Sequence, residues 1–264
     1  MVTADARYSL MELMICAAAR QLEDNQTAVI GTGAPLAAAM LAQKTSAPNL
    51  VILFEAGAMA TILERLPISV SGSETQTRAL VHGSMLEVME ACQRGLVDYT
   101  FLGGAQIDMY GNLNSTMIGS DYRLPKVRLP GSGGANDLAS LCWMTLATMQ
   151  HDKRRFIPKV DFITSPGYLS GPGAREAAGL PPGTGPHKVI STLGVMGFDS
   201  ISKRMRVESL HPGVTREDIL ENTGFEMLFA ADAGVTPEPT DEQLEILRTV
   251  VDPNGMILGK QQRS

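Results

Sequence analysis

An uninterrupted run of apolar residues near the start of the chain most constrains its fold. Residues 50–54 carry no polar side chain, so both faces of an extended segment there would be apolar. Strands buried on both faces belong mostly to parallel sheets, which helices cover on each side. The run stops abruptly at the sequence Glu55-Ala56-Gly57. We therefore expect a buried strand that delivers a carboxylate to the edge of a parallel sheet.

Helical and extended patterns alternate along the rest of the chain. Apolar residues recur at helical spacing after Ser9, a potential N-cap, and Pro35 begins a second helical segment. This alternation predicts an α/β fold with an open, mostly parallel sheet and flanking helices. We expect a single domain over residues 1–264 with a peripheral C-terminal tail from about residue 231. Further helices are predicted at 85–94, at 138–149, after Thr215 and after Asp241, and strands at 28–30, 99–102, 160–163, 188–191 and 205–209.

Composition and charge exclude several classes of protein. The formal net charge is −6 and 44% of the 264 residues are hydrophobic, which disfavours a nucleic-acid-binding or disordered chain. No apolar stretch reaches the roughly 18 residues of a membrane-spanning helix, and the N-terminus lacks the basic region of a signal peptide. Cys16, Cys92 and Cys142 are widely spaced, which indicates buried reduced thiols and no metal site. We expect a cytoplasmic protein that binds neither nucleic acid nor membrane.

Glu55 is the sharpest candidate for chemistry. A carboxylate at the tip of a buried strand loses part of its hydration, which makes it a better nucleophile. From position alone, the alternative is an ordinary glutamate at a strand end that faces solvent or pairs with an arginine. Because ligands bind beyond the carboxyl ends of parallel strands, Ala56 and Gly57 are expected to line the same site.

A glycine-rich segment precedes the helix predicted at 138. Glycines let the backbone approach a ligand closely, and free N–H groups at the start of a helix suit an oxyanion or a phosphate. The alternative is a tight loop in which Asn136 or Asp137 caps the helix. The Gly-Lys-Ser/Thr ending of a P-loop is absent. The residues expected to bind an oxyanion are Gly131, Ser132, Gly133, Gly134 and Ala135.

Two more glycine-containing tips follow predicted strands. Gly31-Thr32-Gly33 begins like a dinucleotide-binding fingerprint, but the third glycine is missing and Pro35 intervenes, so it supports a nicotinamide cofactor only weakly. The other tip would let a substrate lie against the backbone and offers one amide donor, with a simple turn as the alternative. Its residues are Gly103, Gly104, Ala105 and Gln106.

Seven stretches of the sequence resemble the β subunits of family I coenzyme A-transferases, of the glutaconate CoA-transferase type. GGAQIDMYGNLN, GSGGAND and MQHDKRRF are the most specific, and GTGAPLAA, LFEAG, VDFITSPGYLSGPG and ILENTGFE accompany them. They run in the family's order from about residue 28 to 225 and so cover most of the chain. The resemblance implies the CoA-transferase β-subunit fold and an active site formed with an α subunit, in an αβ or (αβ)₂ assembly.

The resemblance also implies a reaction. A glutamate at the position of Glu55 would attack an acyl-CoA thioester and form a glutamyl-CoA thioester, which an incoming carboxylate then discharges in a ping-pong cycle. Residues 131–135 match the family's oxyanion loop. Coenzyme A thioester and carboxylate are then substrates, and no tightly bound cofactor or metal is implied.

Four points stay open. Ala56 departs from the family pattern, since Ser or Asn is usual beside the glutamate. A CoA-thioester decarboxylase or hydrolase on the same scaffold, and a non-catalytic subunit, are the alternative functions, and the acyl group is unspecified. The mixed-charge cluster at 151–155 is expected to be a solvated helix end, with a role in holding a CoA phosphate as its alternative.

Overall fold

The computed structural model describes residues 7–259, which form two compact units. Of these residues, the first unit comprises 7–101 together with 237–259, and the second comprises 102–236. Each unit has its own set of strands and helices. This division does not test the single-domain prediction, which stays a prediction.

Helices and strands alternate in the order expected for an α/β chain. A π-helical turn, Leu247–Val251, follows the last helix. The helices are α1 (Leu10–Ala19), α2 (Ala34–Lys44), α3 (Ser73–Gln76), α4 (Met85–Gln93), α5 (Ala135–Leu141), α6 (Ala174–Ala177), α7 (Arg216–Asn222) and α8 (Asp241–Ile246). The strands are β1 (Thr27–Ile30), β2 (Val51–Leu53), β3 (Ala58–Met59), β4 (Val81–His82), β5 (Tyr99–Leu102), β6 (Gln106–Ile107), β7 (Leu113–Asn114), β8 (Met117–Ile118), β9 (Val127–Arg128), β10 (Met144–Met149), β11 (Gly185–Ser191), β12 (Gly194–Phe198), β13 (Met205–Leu210) and β14 (Leu228–Val235).

The strands of the first unit follow the order β5-β1-β2-β3-β4. β1 pairs in parallel with both β2 and β5, and β3 and β4 continue the sheet in antiparallel pairing. β5, β1 and β2 therefore end at the same edge, where ligands of α/β proteins bind. This sheet edge carries the turn that contains Glu55.

Capping and composition explain the two helices that pack together in the first unit. Ser9 caps α1: its side chain accepts from the Glu12 amide, and the Glu12 carboxylate accepts from the Ser9 amide at 2.7 Å. Pro35 lies in the first turn of α2, where its missing N–H group costs nothing. Residues 36–42 of α2 are buried, and their alanines allow the close approach of α1. Both predicted helix starts are confirmed.

The C-terminal segment packs into the first unit, so the prediction of a peripheral tail from about 231 is wrong. Leu244 of α8 is buried, and Leu247 and Val251 of the π-helical turn are fully buried. Arg248 donates to the buried carboxylate of Glu12 at 2.6 Å. The prediction failed because it rested on the acidic composition of this segment, whereas one face of the segment is apolar and packs on α2.

The strands of the second unit follow the order β14-β13-β12-β11-β10. β10 with β11 and β13 with β14 are parallel, whereas β11, β12 and β13 form an antiparallel meander. Two short antiparallel hairpins, β6 with β7 and β8 with β9, lie outside this sheet. The predicted α/β class is confirmed, and the antiparallel pairs lie in the middle of this unit's strand order and at the β3–β4 end of the first unit's.

Two predicted elements are wrong. The helix predicted at 138–149 ends at Leu141, and the chain continues as strand β10. The stretch predicted as a strand at 160–163 is irregular, because Asp161 is held by side-chain and backbone bonds to Gln106 rather than by a ladder. The three cysteines are buried, as expected for structural thiols.

Candidate functional site

Glu55 lies in a tight turn between β2 and β3. The amide of Phe54 donates to Ala58 O at 2.8 Å, and the amide of Gly57 donates to Phe54 O at 2.9 Å. Phe54 is fully buried, whereas Glu55 and Ala56 are half-buried. The buried strand end therefore fixes a backbone from which the Glu55 side chain reaches a partly solvated space.

Gly57 gives this turn its shape. Its φ of 114° lies in a region that side chains disfavour, and a Cβ there would lie 2.2 Å from the carbonyl oxygen of Gly83. The Gly83 amide donates to Gly57 O at 2.9 Å. Only glycine fits this close approach, so the predicted association of Gly57 with the Glu55 tip has a steric cause.

The Glu55 carboxylate is not engaged elsewhere. No hydrogen bond or ion pair reaches it from any other residue in the part of the chain that the structure describes. No arginine of residues 7–259 pairs with Glu55, and the alternative of a glutamate that faces solvent stays open. Ala56 offers no side-chain hydrogen bond to it, which leaves the carboxylate unconstrained by its neighbour in the turn.

Gly31 and Gly33 lie at the same sheet edge, directly after β1. Gly33 has a φ of 86° and occupies the N-cap position of α2, where no side chain caps the helix. A Cβ on Gly31 would meet no atom within 4 Å. The first unit thus brings an open glycine loop and the Glu55 turn to the ends of adjacent parallel strands.

The glycine-rich loop 131–135 lies in the second unit. Gly131 and Gly133 have φ values of 100° and 50°, so both need the left-handed freedom of glycine. Gly134 is the N-cap of α5 and has no side-chain cap bond. The predicted alternative, a helix capped by Asn136 or Asp137, is therefore wrong.

The loop presents backbone donors that have no partner. Gly131 donates to Ser115 O and Ala135 donates to Ser132 O, both at 2.9 Å. Between them, the amides of Ser132, Gly133 and Gly134 donate to no other atom of residues 7–259. Ser132 and Gly133 are exposed. Such adjacent free N–H groups can stabilise an anion or a developing oxyanion.

A buried arginine that sequence reasoning missed holds the far end of α5. Arg175 is 2% exposed, and its guanidinium donates to the carbonyl oxygens of Ala139 and Ser140 in the last turn of the helix. The same group donates to Pro166 O and Gly167 O at 2.9 Å. Burial lowers the pKa of Arg175. Arg175 thus ties the helix behind the glycine-rich loop to the loop at 165–167.

The tip at 103–106 lies beside the glycine-rich loop. Ala105 donates to Asn114 O at 2.8 Å, and the next residue, Ser115, accepts from Gly131. Gly104 has little room for a side chain, since a Cβ added there would lie 3.1 Å from Gln106 O. Gly103 is exposed. The second unit therefore brings these two predicted tips together.

The Gln106 side chain is used within the protein. Its oxygen accepts from Asn114 Nδ2 at 2.7 Å and from the Asp161 amide at 3.1 Å, and its nitrogen donates to Asp161 Oδ2. Gln106 is buried at 5% exposure. This network fixes the loop at 160–164 and gives Gln106 a structural role that the sequence did not indicate.

The cluster at 151–155 is a turn after strand β10, so the prediction of a helix end is wrong. His151 is buried, with its ring stacked on Phe156 at a centroid distance of 3.7 Å. Its Nδ1 and Nε2 bond to the hydroxyl groups of Ser191 and Thr223. Arg154 and Arg155 both pair with Asp152, the single carboxylate of this turn, and Lys153 is exposed.

The described residues offer neither a metal site nor a membrane span. Within residues 7–259, no group of three or more His, Cys, Asp and Glu residues could hold a metal ion. No helix in that range is long and apolar enough to cross a membrane. The chemistry available at the Glu55 turn and the glycine-rich loop is that of a carboxylate and of backbone amides.

Comparison with known proteins gives extensive matches. The family model described as Coenzyme A transferase matches residues 11–222. The B subunit of glutaconate CoA-transferase from Acidaminococcus fermentans is 38% identical over 255 residues, which cover 93% of each chain. The crystal structure of glutaconate coenzyme A-transferase from that organism matches with a TM-score of 0.91 at 36% identity, over 96% of this chain and 98% of that one.

Two other relatives carry different names. The B subunit of 3-oxoadipate CoA-transferase from Pseudomonas knackmussii is 41% identical over 246 residues, covering 92% of this chain and 93% of the relative. The cholesterol ring-cleaving hydrolase IpdB subunit of Rhodococcus jostii is 32% identical over 222 residues, covering 84% and 83%. The matched fold therefore includes both transferases and a hydrolase.

Proposed function

This chain belongs to the coenzyme A transferase family, and on that premise we propose that it is the β subunit of an acyl-CoA:carboxylate CoA-transferase whose nucleophile is Glu55. One observation carries the proposal: a carboxylate that no other residue of 7–259 engages follows a buried parallel strand, on a backbone that the Gly57 turn fixes. Two relatives, at 38% and 41% identity, are named as B subunits of CoA-transferases.

The proposed reaction is a ping-pong exchange. A Glu55 carboxylate oxygen attacks the thioester carbonyl of acyl-CoA, and CoA thiolate leaves as a mixed anhydride forms. The thiolate then attacks the Glu55 carbonyl carbon and expels the first carboxylate, which leaves a glutamyl-CoA thioester. The incoming carboxylate repeats the two steps in reverse order, so Glu55 regains its carboxylate and the new acyl-CoA departs.

Residues 131–135 fit the role of oxyanion loop. Each attack on a carbonyl places negative charge on an oxygen, and adjacent N–H groups held in a fixed backbone need no reorganisation when that charge develops. The unpartnered amides of Ser132, Gly133 and Gly134 support this role. We propose further that Ala56, Gly57 and residues 103–105 line the substrate space.

Partner and substrate follow from the relatives. Because those relatives are named as B subunits, we propose that this chain acts with an α subunit as an αβ or (αβ)₂ complex, in the cytoplasm. Glutaconate and 3-oxoadipate are both dicarboxylates, so we propose a dicarboxylic acyl group. A panel of acyl-CoA donors read by mass spectrometry tests the acyl class.

Substitution of Glu55 tests the nucleophile directly. In the complex with the α subunit, Glu55→Ala and Glu55→Gln should each lower the transfer rate by more than ~10⁴-fold, because no covalent intermediate can form. Glu55→Asp should cost about 10²-fold, since it retracts the carboxylate by one methylene. Glu64→Gln, at an exposed glutamate of the same unit, is the matched control.

The intermediate itself is the second readout. Incubation of the wild-type complex with acyl-CoA and no acceptor should add the mass of CoA less one water to this chain, and hydroxylamine should remove the CoA. The adduct should be absent from Glu55→Gln. Wild-type transfer rates in Glu55→Ala, or an adduct on a different residue, would contradict the proposal.

A thioester hydrolase is the second candidate, because one relative at 32% identity is named as a ring-cleaving hydrolase. In that case Glu55 would act as a general base or position the substrate. Stoichiometric release of free CoA without an acceptor carboxylate would identify hydrolysis, and release of CO₂ would identify decarboxylation.

A further inference from the structure

A cationic hairpin precedes the glycine-rich loop. We use this name for residues 117–130, which comprise β8, β9 and the loop between them. Arg123, Lys126 and Arg128 are all exposed, and the hairpin contains one carboxylate, Asp121. This local positive charge stands out in a chain whose formal net charge is −6.

None of these three cations is neutralised by an acidic side chain. No ion pair joins Arg123, Lys126 or Arg128 to a carboxylate within residues 7–259. Arg128 instead lies over the ring of Tyr122, 4.7 Å from its centroid, and donates to Tyr122 O at 2.7 Å. Tyr122 therefore holds Arg128 in place, and all three cations are exposed to an anion from outside the chain.

The hairpin is continuous with the glycine-rich loop. β8 and β9 pair through Met117 with Arg128, and Leu129 donates to Thr116 O at 3.0 Å. Two residues further on, Gly131 donates to Ser115 O and accepts from its hydroxyl group, both at 2.9 Å. One antiparallel ribbon thus connects the cations to the unpartnered amides.

The length of this ribbon matches the length of an acyl-CoA. Extended backbone advances about 3.3 Å per residue, so Arg128 and Lys126 lie roughly 10 and 17 Å along the strand from Gly131. About thirteen bonds of the pantetheine arm separate the thiol sulfur of CoA from the first phosphorus. An extended polypeptide backbone has three bonds per residue, so thirteen bonds correspond to roughly four residues and span about 14 Å. A thioester carbonyl at the glycine-rich loop would place the diphosphate among these cations.

We propose that the cationic hairpin binds the phosphate groups at the nucleotide end of the acyl-CoA, with Arg123, Lys126 and Arg128 as the ligands. This inference rests on the proposed function, since it takes the glycine-rich loop as the thioester site. Arginine suits the role because its planar fork bonds phosphate oxygens in pairs. In the turn at 151–155, which is also basic, both arginines are already paired with Asp152.

Binding of CoA to the complex with the α subunit tests the proposal without turnover. The triple variant Arg123→Gln, Lys126→Gln, Arg128→Gln should raise the Kd for CoA by roughly 10–100-fold, because each exposed charge pair changes affinity by about two- to fivefold and three are lost. Its preference for CoA over 3′-dephospho-CoA should fall, and added salt should weaken its CoA binding less than that of the wild type. Turnover of an acyl-pantetheine, which has no nucleotide, should be unchanged.

Controls separate this proposal from its alternatives. The variant Lys44→Gln, Lys153→Gln, Arg154→Gln removes the same charge from exposed positions elsewhere and should bind CoA like the wild type. An unchanged CoA affinity in the hairpin variant overturns the proposal. So does dissociation of the α subunit from that variant alone, which would make exposed Leu124 and its neighbours a docking surface for the partner. The same titration on a Glu55→Ala complex keeps the result independent of whether Glu55 is the nucleophile.

Discussion

At the scale of single residues, the Glu55 carboxylate depends on a neighbour that has no side chain. Gly57 closes the β2–β3 turn with a φ of 114° and lies against Gly83. The apolar run and the small residues after Glu55 predict a turn, but they do not reveal that a second glycine, 26 positions further on, blocks any Cβ. That contact is tertiary, so only the folded chain shows it.

Gly57→Ala should therefore damage both folding and catalysis. The new Cβ would clash with the carbonyl oxygen of Gly83, and alanine disfavours the φ of 114° that this turn requires. We therefore expect the free energy of unfolding to fall by at least ~2 kcal/mol. Displacement of Glu55 by about 1 Å should lower the transfer rate by ~10²-fold. Urea denaturation and steady-state kinetics measure the two effects.

Gly31→Ala is the folding control for this experiment. Its Cβ would have open space, and its unfolding free energy should stay within ~1 kcal/mol of the wild type. A stable and active Gly57→Ala protein would show that the turn does not fix Glu55 in the way described.

At the scale of secondary-structure elements, α5 is anchored at its C-terminal end by Arg175. Five acceptors surround this guanidinium, the fifth being Thr184 Oγ1 at 2.9 Å. No carboxylate is among them. The guanidinium group of Arg175 thus holds the helix that begins at the glycine-rich loop, and a smaller side chain could not make the same set of hydrogen bonds.

Loss of the Arg175 guanidinium group leaves buried carbonyl groups without hydrogen-bond donors. Arg175→Met should lower the free energy of unfolding by at least ~3 kcal/mol, and Arg175→Lys should recover only part of it because one ammonium cannot reach all five acceptors. Arg154→Met, at an exposed arginine, should change stability by no more than ~0.5 kcal/mol. Chemical denaturation of the three variants decides the matter, and equal stabilities for Arg175→Met and Arg154→Met would refute the anchoring role.

Sequence patterns predicted elements well where a local signal sets the boundary. Ser9 and Thr215 carry capping boxes, and both helices begin where these residues predict. The pattern failed at β10, because the apolar run after Leu141 fits a helix or a strand equally and parallel pairing with β11 decides between them. The role of His151 was equally out of reach, since its partners Ser191 and Thr223 are distant in sequence.

At the scale of the whole molecule, buried histidines make stability depend on pH. Burial lowers the pKa of His151 to about 3 and that of His211 to about 4. An unfolded histidine binds its proton near pH 6.5, so between pH 6.5 and about 4 the unfolded chain binds more protons than the folded chain. The contribution of these two neutral histidines to the free energy of unfolding is therefore fully present above about pH 6.5 and is lost as the pH falls towards 4.

The expected slope is measurable. Each histidine should contribute up to ~1.4 kcal/mol of unfolding free energy per pH unit within this window. In the double variant His151→Gln, His211→Gln, the curve of unfolding free energy against pH should be flatter between pH 6.5 and 4.5 than in the wild type. His82→Gln, at an exposed histidine, should keep the wild-type slope, and an unaltered slope in the double variant would contradict the assignment.

The return of the chain to the first unit at residue 237 has a consequence for biosynthesis. Glu12 meets Arg248, and α2 is covered, only after 236 further residues have followed Glu12 in translation. Until the ribosome has released the C-terminal segment, the nascent first unit exposes the apolar surface of α2 and leaves a buried carboxylate without its cation. Vectorial synthesis therefore delivers all residues of the second unit before the last residues of the first unit, so α2 and Glu12 reach their final surroundings late.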